Sequence, residues 1–367
     1  MKKLLSVLLS ALLIAVSIPF AFAADYNGFE YVDNGDGTCK IKSIKPILWY
    51  EEDIDIPEVI KTESGDLTVT EIAPHAFKQR TGLRTITMPE TVTVIGGYAF
   101  YGCTKLYSVS VGTGVKEIGD HAFNGCKALT GINVRNTEKI GDYAFYNCTA
   151  LTEINCGSAL VSIGKYALRY CEALDYIEFS PTIETIGDNA FEYCKTLTSL
   201  KLPETLKSLG SYAFKGCSAL ESIDLGSGAY SIGACAFQDC PLITEVTVPD
   251  NIISIGTKAF SCFDIQTNKY THSAKIICSL NSAGVSYSIM NGCPVYITEL
   301  QREISNFGDV TENGVTDAND AKALLRLAAK IQTTDDEEKL LLGDLNRNGI
   351  FDTEDAIIVL RKTAKIA

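Results

Sequence analysis

One nine-residue phrase, Ile-Gly-x-x-Ala-Phe-x-x-Cys, recurs through this chain at a fixed step, and that step limits the fold more than any other feature. It reads Ile95-Gly-Gly-Tyr-Ala-Phe-Tyr-Gly-Cys103, then Ile118-Gly-Asp-His-Ala-Phe-Asn-Gly-Cys126, and returns at Ile186–Cys194 and Ile232–Cys240. Its Phe position falls at Phe77, Phe100, Phe123, Phe145, Leu168, Phe191, Phe214, Phe237 and Phe260, a step of 23 residues broken once by a step of 22. A constant period of roughly 20 to 50 residues marks a solenoid, in which each unit is too small to bury its own apolar side. Stacked units share a continuous core instead.

The complete unit continues as Leu-x-x-Ile-x-Leu-(Pro). The stretch Leu197-Thr-Ser-Leu-Lys-Leu-Pro203 alternates apolar and polar residues, which predicts a short strand buried on one face. Pro89, Pro203 and Pro249 follow such strands, where a missing N–H does least harm. The Ile-Gly half is too short for a helix and reads as a turn with a brief extended or 3₁₀ piece. About nine such repeats occupy residues 67–263. Residues 24–66 read as an N-terminal cap with a hairpin turn at Asp33-Asn-Gly-Asp-Gly37. Residues 264–298 read as a strand–helix–strand C-terminal cap, and 299–306 as a linker.

With its nine units in one register, the repeat region resembles the BspA-like class of bacterial leucine-rich repeats. That resemblance implies a curved solenoid with a parallel β-sheet on its concave side, in a secreted or surface protein used for binding. The strand positions expected to face outward are Thr85, Ser108, Asn133, Glu153, Asn155, Tyr176, Glu178, Lys201, Asp224 and Glu245. Tyr176 is the aromatic among them and has carboxylates beside it, so Glu153, Tyr176 and Glu178 form the expected ligand face. The ligand itself is left open between a protein and a polysaccharide.

No catalytic constellation emerges. His75 and His121 share a repeat column with Tyr98, Tyr143, Asn189 and Lys258, the mixture expected of a surface slot. Phosphate loops and nucleophile elbows are absent from the sequence. Glu153 and Glu178 invite the thought of a glycoside hydrolase, but an acidic face explains them as well. The expectation is therefore a non-enzyme, with a cell-surface adhesin and a cryptic polysaccharide hydrolase as alternative readings.

Thirteen cysteines fit the same pattern. Seven form one column: Cys103, Cys126, Cys148, Cys171, Cys194, Cys217 and Cys240. Rungs about 4.8 Å apart would allow bridging, but side chains in one column are parallel, so a ladder of buried thiols is expected. Cys278 and Cys293 are a candidate disulfide within the C-terminal cap. With no Cys-x-x-Cys pair, zinc is not indicated.

Residues 1–23 carry Lys2 and Lys3, an apolar run and Ala21-Phe22-Ala23, the pattern of a cleaved secretory signal. After it, no run reaches the ~20 apolar residues that span a bilayer. Cleavage moves the net charge from -13 to -15 by removing two lysines. Such an acidic chain is unsuited to nucleic acid.

Residues 307–367 hold a second, different repeat. Gly308-Asp-Val-Thr-Glu-Asn-Gly-Val-Thr-Asp-Ala-Asn-Asp320 and Gly343-Asp-Leu-Asn-Arg-Asn-Gly-Ile-Phe-Asp-Thr-Glu-Asp355 lie 35 residues apart, each followed by an apolar segment. Oxygen side chains fall at positions 1, 3, 5, 9 and 12 with Gly at 6, the logic of a calcium loop. They are Asp309, Thr311, Asn313, Asp317 and Asp320, then Asp344, Asn346, Asn348, Asp352 and Asp355, with the carbonyls of Val315 and Ile350 at position 7. Thr311 is a weaker donor than the residue usual there. The duplicated loop–helix unit resembles a dockerin. The resemblance implies a small all-α module with two calcium sites that docks to a cohesin domain of a scaffold, as in a cellulosome. Positions 10 and 11, often read by cohesin, are Ala318 and Asn319 in one copy and Thr353 and Glu354 in the other.

Overall fold

The computed structural model describes residues 24–304, apart from 265, 268, 273, 280–281, 292–293 and 299–301. The signal segment, Cys293 and the entire dockerin-like segment, with its calcium and cohesin residues, lie outside the described residues. What is described is a parallel β-solenoid. Each turn contributes two strands rather than the single one expected. The Leu-x-x-Ile half forms a front sheet of three-residue strands, such as Thr85–Thr87, Ser108–Ser110, Gly131–Asn133 and Glu153–Asn155. The residues just before each Gly form a rear sheet of two-residue strands, from Val94–Ile95 to Ser254–Ile255.

The rear sheet is in strict register, with Ile95, Ile118, Ile140, Ile163, Ile186, Leu209, Ile232 and Ile255 side by side. The Gly of each phrase is required by close approach. A Cβ on Gly119 would sit 2.7 Å from the Gly97 nitrogen, and one on Gly187 would sit 2.7 Å from the Gly164 carbonyl carbon. The Asp that often follows this Gly joins successive turns: Asp120 Oδ1 accepts the Asp142 N–H at 2.8 Å, and Asp142 Oδ1 accepts that of Lys165 at 2.7 Å.

Between the sheets lie two side-chain ladders. The Phe rings stack face to face from Phe77 to Phe145, with centroids 5.1–5.3 Å apart, and again from Phe191 to Phe260 at 5.0–5.5 Å. Leu168 separates the two runs. Beside them run the seven cysteines, all buried and all free thiols. Each Sγ–H donates to the carbonyl of the Phe-column residue one turn earlier: Cys103 to Phe77 at 3.1 Å, Cys194 to Leu168 at 3.4 Å, Cys240 to Phe214 at 3.2 Å. The thiol therefore fills a small apolar slot and uses its weak donor as well. Burial pushes Cys103 and Cys171 up to about 12 and carries Cys126, Cys148, Cys194 and Cys240 well above their ordinary value.

Both ends of the stack are covered. At the N-terminal end Phe29–Asp33 and Thr38–Ile44 form an antiparallel hairpin that leads into the rear sheet through Gly65–Ile72. At the other end Lys275–Cys278, the helix Ala283–Asn291 and Val295–Ile297 follow the last repeat. Tyr287 of that helix meets Phe260 edge-on, and its hydroxyl accepts the Phe260 N–H at 2.9 Å, closing the Phe ladder. Among the described residues no helix is long and apolar enough to cross a membrane.

Candidate ligand-binding groove

Outward positions of the front sheet need not pack, so their chemistry is free to vary. The predicted outward residues do face solvent: Thr85 is half-buried and the other nine are exposed. Beneath them Ile86, Val109, Ile132 and Ile154 are buried in the shared core. The expected strand fails at one place. Asp175–Phe179 has the right alternation, with Tyr176 and Glu178 outward and Ile177 and Phe179 buried, yet it forms no strand. Front-sheet pairing stops at Glu153–Asn155 on one side and resumes at Ser199–Lys201, paired with Ser222–Asp224, on the other. The regular rungs have a backbone bond such as Val134 N–H to Asn155 O or Leu202 N–H to Asp224 O. The backbone of Tyr176–Phe179 makes no such bond, and the rung is held by its buried side chains. Pairing also lapses between Ser222–Asp224 and Glu245–Thr247, although there both rungs remain strands.

Two features distinguish the interrupted rung. Phe179 occupies a column held elsewhere by Met88, Val111, Val134, Cys156, Leu202, Leu225 and Val248, and its ring stands edge-on to Phe191 at 5.7 Å. The following Ser180-Pro181 replaces the Pro or Gly that comes directly after the strand in most repeats. Proline disfavours helical backbone at the residue before it, and Ser180 Oγ accepts the Thr182 N–H at 3.2 Å in a local turn.

Around this rung lie three open concavities. The central one, about 510 Å³, is lined by Arg135, Glu153, Asn155, Tyr176, Glu178 and Pro181 among others. It brings together the three residues of the expected ligand face. A second, about 580 Å³, shares Glu153 and Asn155 and extends to Tyr107. A third, about 540 Å³, shares Tyr176 and Glu178 and extends to Lys201 and Asp224. Together they form one groove along the solenoid axis. Tyr107 and Tyr176, 43% and 57% exposed, stand three rungs apart, or roughly 14 Å at the spacing of neighbouring strands. The sequence reading missed Tyr107, which sits one position before the outward column. Arg135 was missed because it follows the strand.

Four charged side chains of this groove are unengaged. Glu153, Glu178, Arg135 and Lys201 make no hydrogen bond or ion pair with the described protein, whereas at several places outside the groove charges pair between turns. Lys139 meets Glu117 at 2.9 Å, Lys195 meets Glu172 at 2.8 Å and Lys207 meets Glu184 at 2.7 Å. Asn133 and Asn155 use their side-chain oxygens to accept the backbone N–H of Arg135 and Gly157, which leaves their amide NH₂ groups to the groove.

His75 and His121 lie elsewhere, in a column of left-handed turns with φ between 56° and 64° that includes Tyr98, Tyr143, Tyr166, Asn189, Tyr212, Cys235 and Lys258. Their rings stack from His75 through Tyr166 at 4.4–5.0 Å. Burial lowers the His121 pKa, and its Nδ1 contacts Asn124 Nδ2 at 3.0 Å. The column is a structural ladder as well as a surface slot. Among the described residues no cluster of three or more His, Cys, Asp or Glu is placed to hold a metal.

A two-sheet parallel solenoid with a Phe–Cys core and an open polar face defines a leucine-rich-repeat binding scaffold. The chain belongs to the BspA-type leucine-rich-repeat family, whose model matches residues 70–198 and 184–281, together more than half of its length. It is similar to a leucine-rich repeat protein from Bacteroides ovatus, at 27% identity and a TM-score of 0.61. That match covers 71% of this chain and 66% of the other, so just under two thirds of that relative is spanned. A leucine-rich repeat protein of T. pallidum matches at 26% identity and a TM-score of 0.44, covering 60% of this chain and 90% of that one. A leucine-rich cell surface protein of Faecalibacterium prausnitzii matches at 20% identity and 0.35, covering 70% and 88%. No curated protein matches significantly.

Proposed function

We propose that this is a secreted, non-catalytic binding protein with two working surfaces. The front groove holds an extended ligand, and the C-terminal segment anchors the protein to a scaffold. The observation that carries the first half is the groove itself, where the exposed rings of Tyr107 and Tyr176 share a trough with the unengaged side chains of Arg135, Glu153, Glu178 and Lys201. Binding faces are enriched in exposed aromatic residues and in polar groups without partners of their own.

The second half rests on the duplicated loop pattern at Asp309–Asp320 and Asp344–Asp355. Its donors are carboxylate, amide, hydroxyl and carbonyl oxygens, hard ligands suited to calcium rather than to a soft metal. In this reading Asp309, Thr311, Asn313, Asp317 and Asp320 with the Val315 carbonyl hold one ion, and Asp344, Asn346, Asn348, Asp352 and Asp355 with the Ile350 carbonyl hold the other. Calcium supplies charge neutralisation that lets the acidic loops fold, and the flanking Ala318, Asn319, Thr353 and Glu354 meet a cohesin domain.

The full mature chain is expected to bind immobilised cohesin in calcium and to release in a chelator. Asp344→Ala with Asp355→Ala should abolish that binding, while Tyr176→Ala should leave it unchanged. Binding to no cohesin of a broad panel in excess calcium removes the anchoring role, and an intact double variant removes the calcium assignment.

A further inference from the structure

The shape and lining of the groove select among ligand chemistries. Its axis crosses the strands at right angles. Interior strands such as Ser108–Ser110 and Gly131–Asn133 already have partners on both sides. The edges left by the gap at Tyr176–Phe179 run across the groove, so a peptide lying along it gains no ladder of main-chain bonds along its length. A folded protein partner draws its affinity from anchors inserted into desolvated pockets. The floor provides none, because Val109, Ile132 and Ile154 are covered by the outward residues and lie at 5–7% exposure. What remains is a shallow trough with a tyrosine near one end and another near its middle, and carboxylates and amide groups between them.

That set matches a sugar chain. A pyranose ring has an apolar C–H face and a rim of hydroxyls. Tyr offers a flat amphipathic ring for the face, and the rim is served by acceptors and donors together, here Glu153 and Glu178 with the NH₂ group of Asn155. Resting on the reading that the front face is the binding surface, we propose that the groove binds a neutral, hydroxyl-rich polysaccharide. The chain lies along the solenoid axis, with Tyr176 as its stacking platform and Tyr107 as a second contact about 14 Å away. Glu153 and Glu178 accept hydroxyl hydrogen bonds, and with Asp224 they outnumber Arg135 and Lys201 in the groove, which disfavours polyuronates.

The test is retardation of the full mature chain in native gels cast with a β-linked glucan, a β-linked mannan or polygalacturonate. At least one neutral polymer is expected to retard the chain and polygalacturonate is not, with or without chelator. Tyr176→Ala should weaken retardation at least tenfold and Glu178→Gln about threefold. Tyr230→Ala, 58% exposed but outside the groove, should match the parent, and thermal melts confirm that each variant folds. Retardation by neither neutral polymer, or an unaffected Tyr176→Ala, overturns the sugar assignment. Panning a random-peptide display against the same chain then separates the two readings. Peptides captured only when Tyr176 is present overturn the sugar but keep the binding face, and Tyr176-independent capture removes both.

Discussion

The rear sheet runs from Val94–Ile95 to Ser254–Ile255 with every strand paired, whereas the front sheet loses its ladder at Asp175–Phe179. The two sheets come from the same 23-residue unit, so the difference lies in what each can tolerate. Rear strands abut a column of Gly whose missing Cβ atoms let successive backbones touch. Any departure there displaces backbone on the next turn. Front strands project alternate residues into solvent, and those residues touch little. Surface substitutions of that kind shift stability by about 0.5 kcal/mol or less, so the front face is free to acquire Tyr107, Glu153, Tyr176 and Glu178. Several Lys–Glu pairs bridge successive turns away from the groove, whereas Glu153, Glu178 and Lys201 within it make none.

The largest effect expected tests the core that both sheets share. Each ladder thiol is raised by burial above an ordinary value of 9.0. Above that pH the unfolded chain loses thiol protons that the folded chain keeps. Stability is therefore complete below pH 9 and falls as pH rises toward 12, by on the order of 1 kcal/mol per thiol per pH unit. Summed over the ladder this rivals the whole stability of a typical domain, about 5–15 kcal/mol. Denaturant midpoints should drop steeply between pH 9 and 11. Cys194→Ala with Cys217→Ala should flatten that slope, and an unchanged slope would mean that the thiols are not the cause. At pH 8 the folded chain should resist thiol reagents that label the urea-unfolded chain.

Next in size is the Phe ladder. Phe214→Ala removes a ring stacked on both sides, at 5.0 Å from Phe191 and 5.5 Å from Phe237. It should cost about 3–5 kcal/mol by equilibrium unfolding, the range for deleting a buried aromatic. A cost below about 1 kcal/mol would show that the ladder is decorative. The rear sheet gives a smaller effect. Gly187→Ala drives a Cβ against the Gly164 backbone and should cost about 1–3 kcal/mol, while Gly82→Ala, with nothing within 4 Å, should be neutral or slightly stabilising. Equal costs at the two sites would refute close approach as the reason for the Gly column.

Much of this was legible because repetition averages out local ambiguity. Eight Phe and one Leu in one column and seven Cys in another, all in fixed register, identify inward columns, and the structure has both ladders. The rear sheet was not legible, because a two-residue strand is too short to show alternation. Its strands exist through pairing with neighbours of the same register, a long-range fact. The groove was half legible. Glu153, Tyr176 and Glu178 follow from outward parity, and the structure places all three on one concavity. Tyr107 and Arg135 do not follow, since one precedes its strand and the other succeeds it. The break in the front sheet was hidden because Tyr176-Ile-Glu-Phe179 keeps the alternation of a strand. A signal was present in Phe179, an aromatic in a column of smaller side chains, and in the shift of proline to Pro181.

That signal gives the smallest and sharpest test of the comparison between sheets. Phe179→Leu puts into the interrupted rung the residue found at Leu202 and Leu225. Two terms oppose each other. Losing an aromatic that packs edge-on against Phe191 at 5.7 Å costs stability, and regaining a backbone bond at each flank contributes about 0.5–1.5 kcal/mol apiece. The net change should stay within about 1 kcal/mol, so stability alone is a poor readout. Amide hydrogen exchange is the better one. If the bulk of Phe179 holds the ladder open, Cys156 N–H and Phe179 N–H should become protected in the variant, as Val134 and Leu202 are expected to be in the parent. The front sheet would then run through Tyr176 without interruption. Unchanged exchange at both amides would shift the cause to Ser180-Pro181, and Pro181→Ser would become the substitution that closes the sheet.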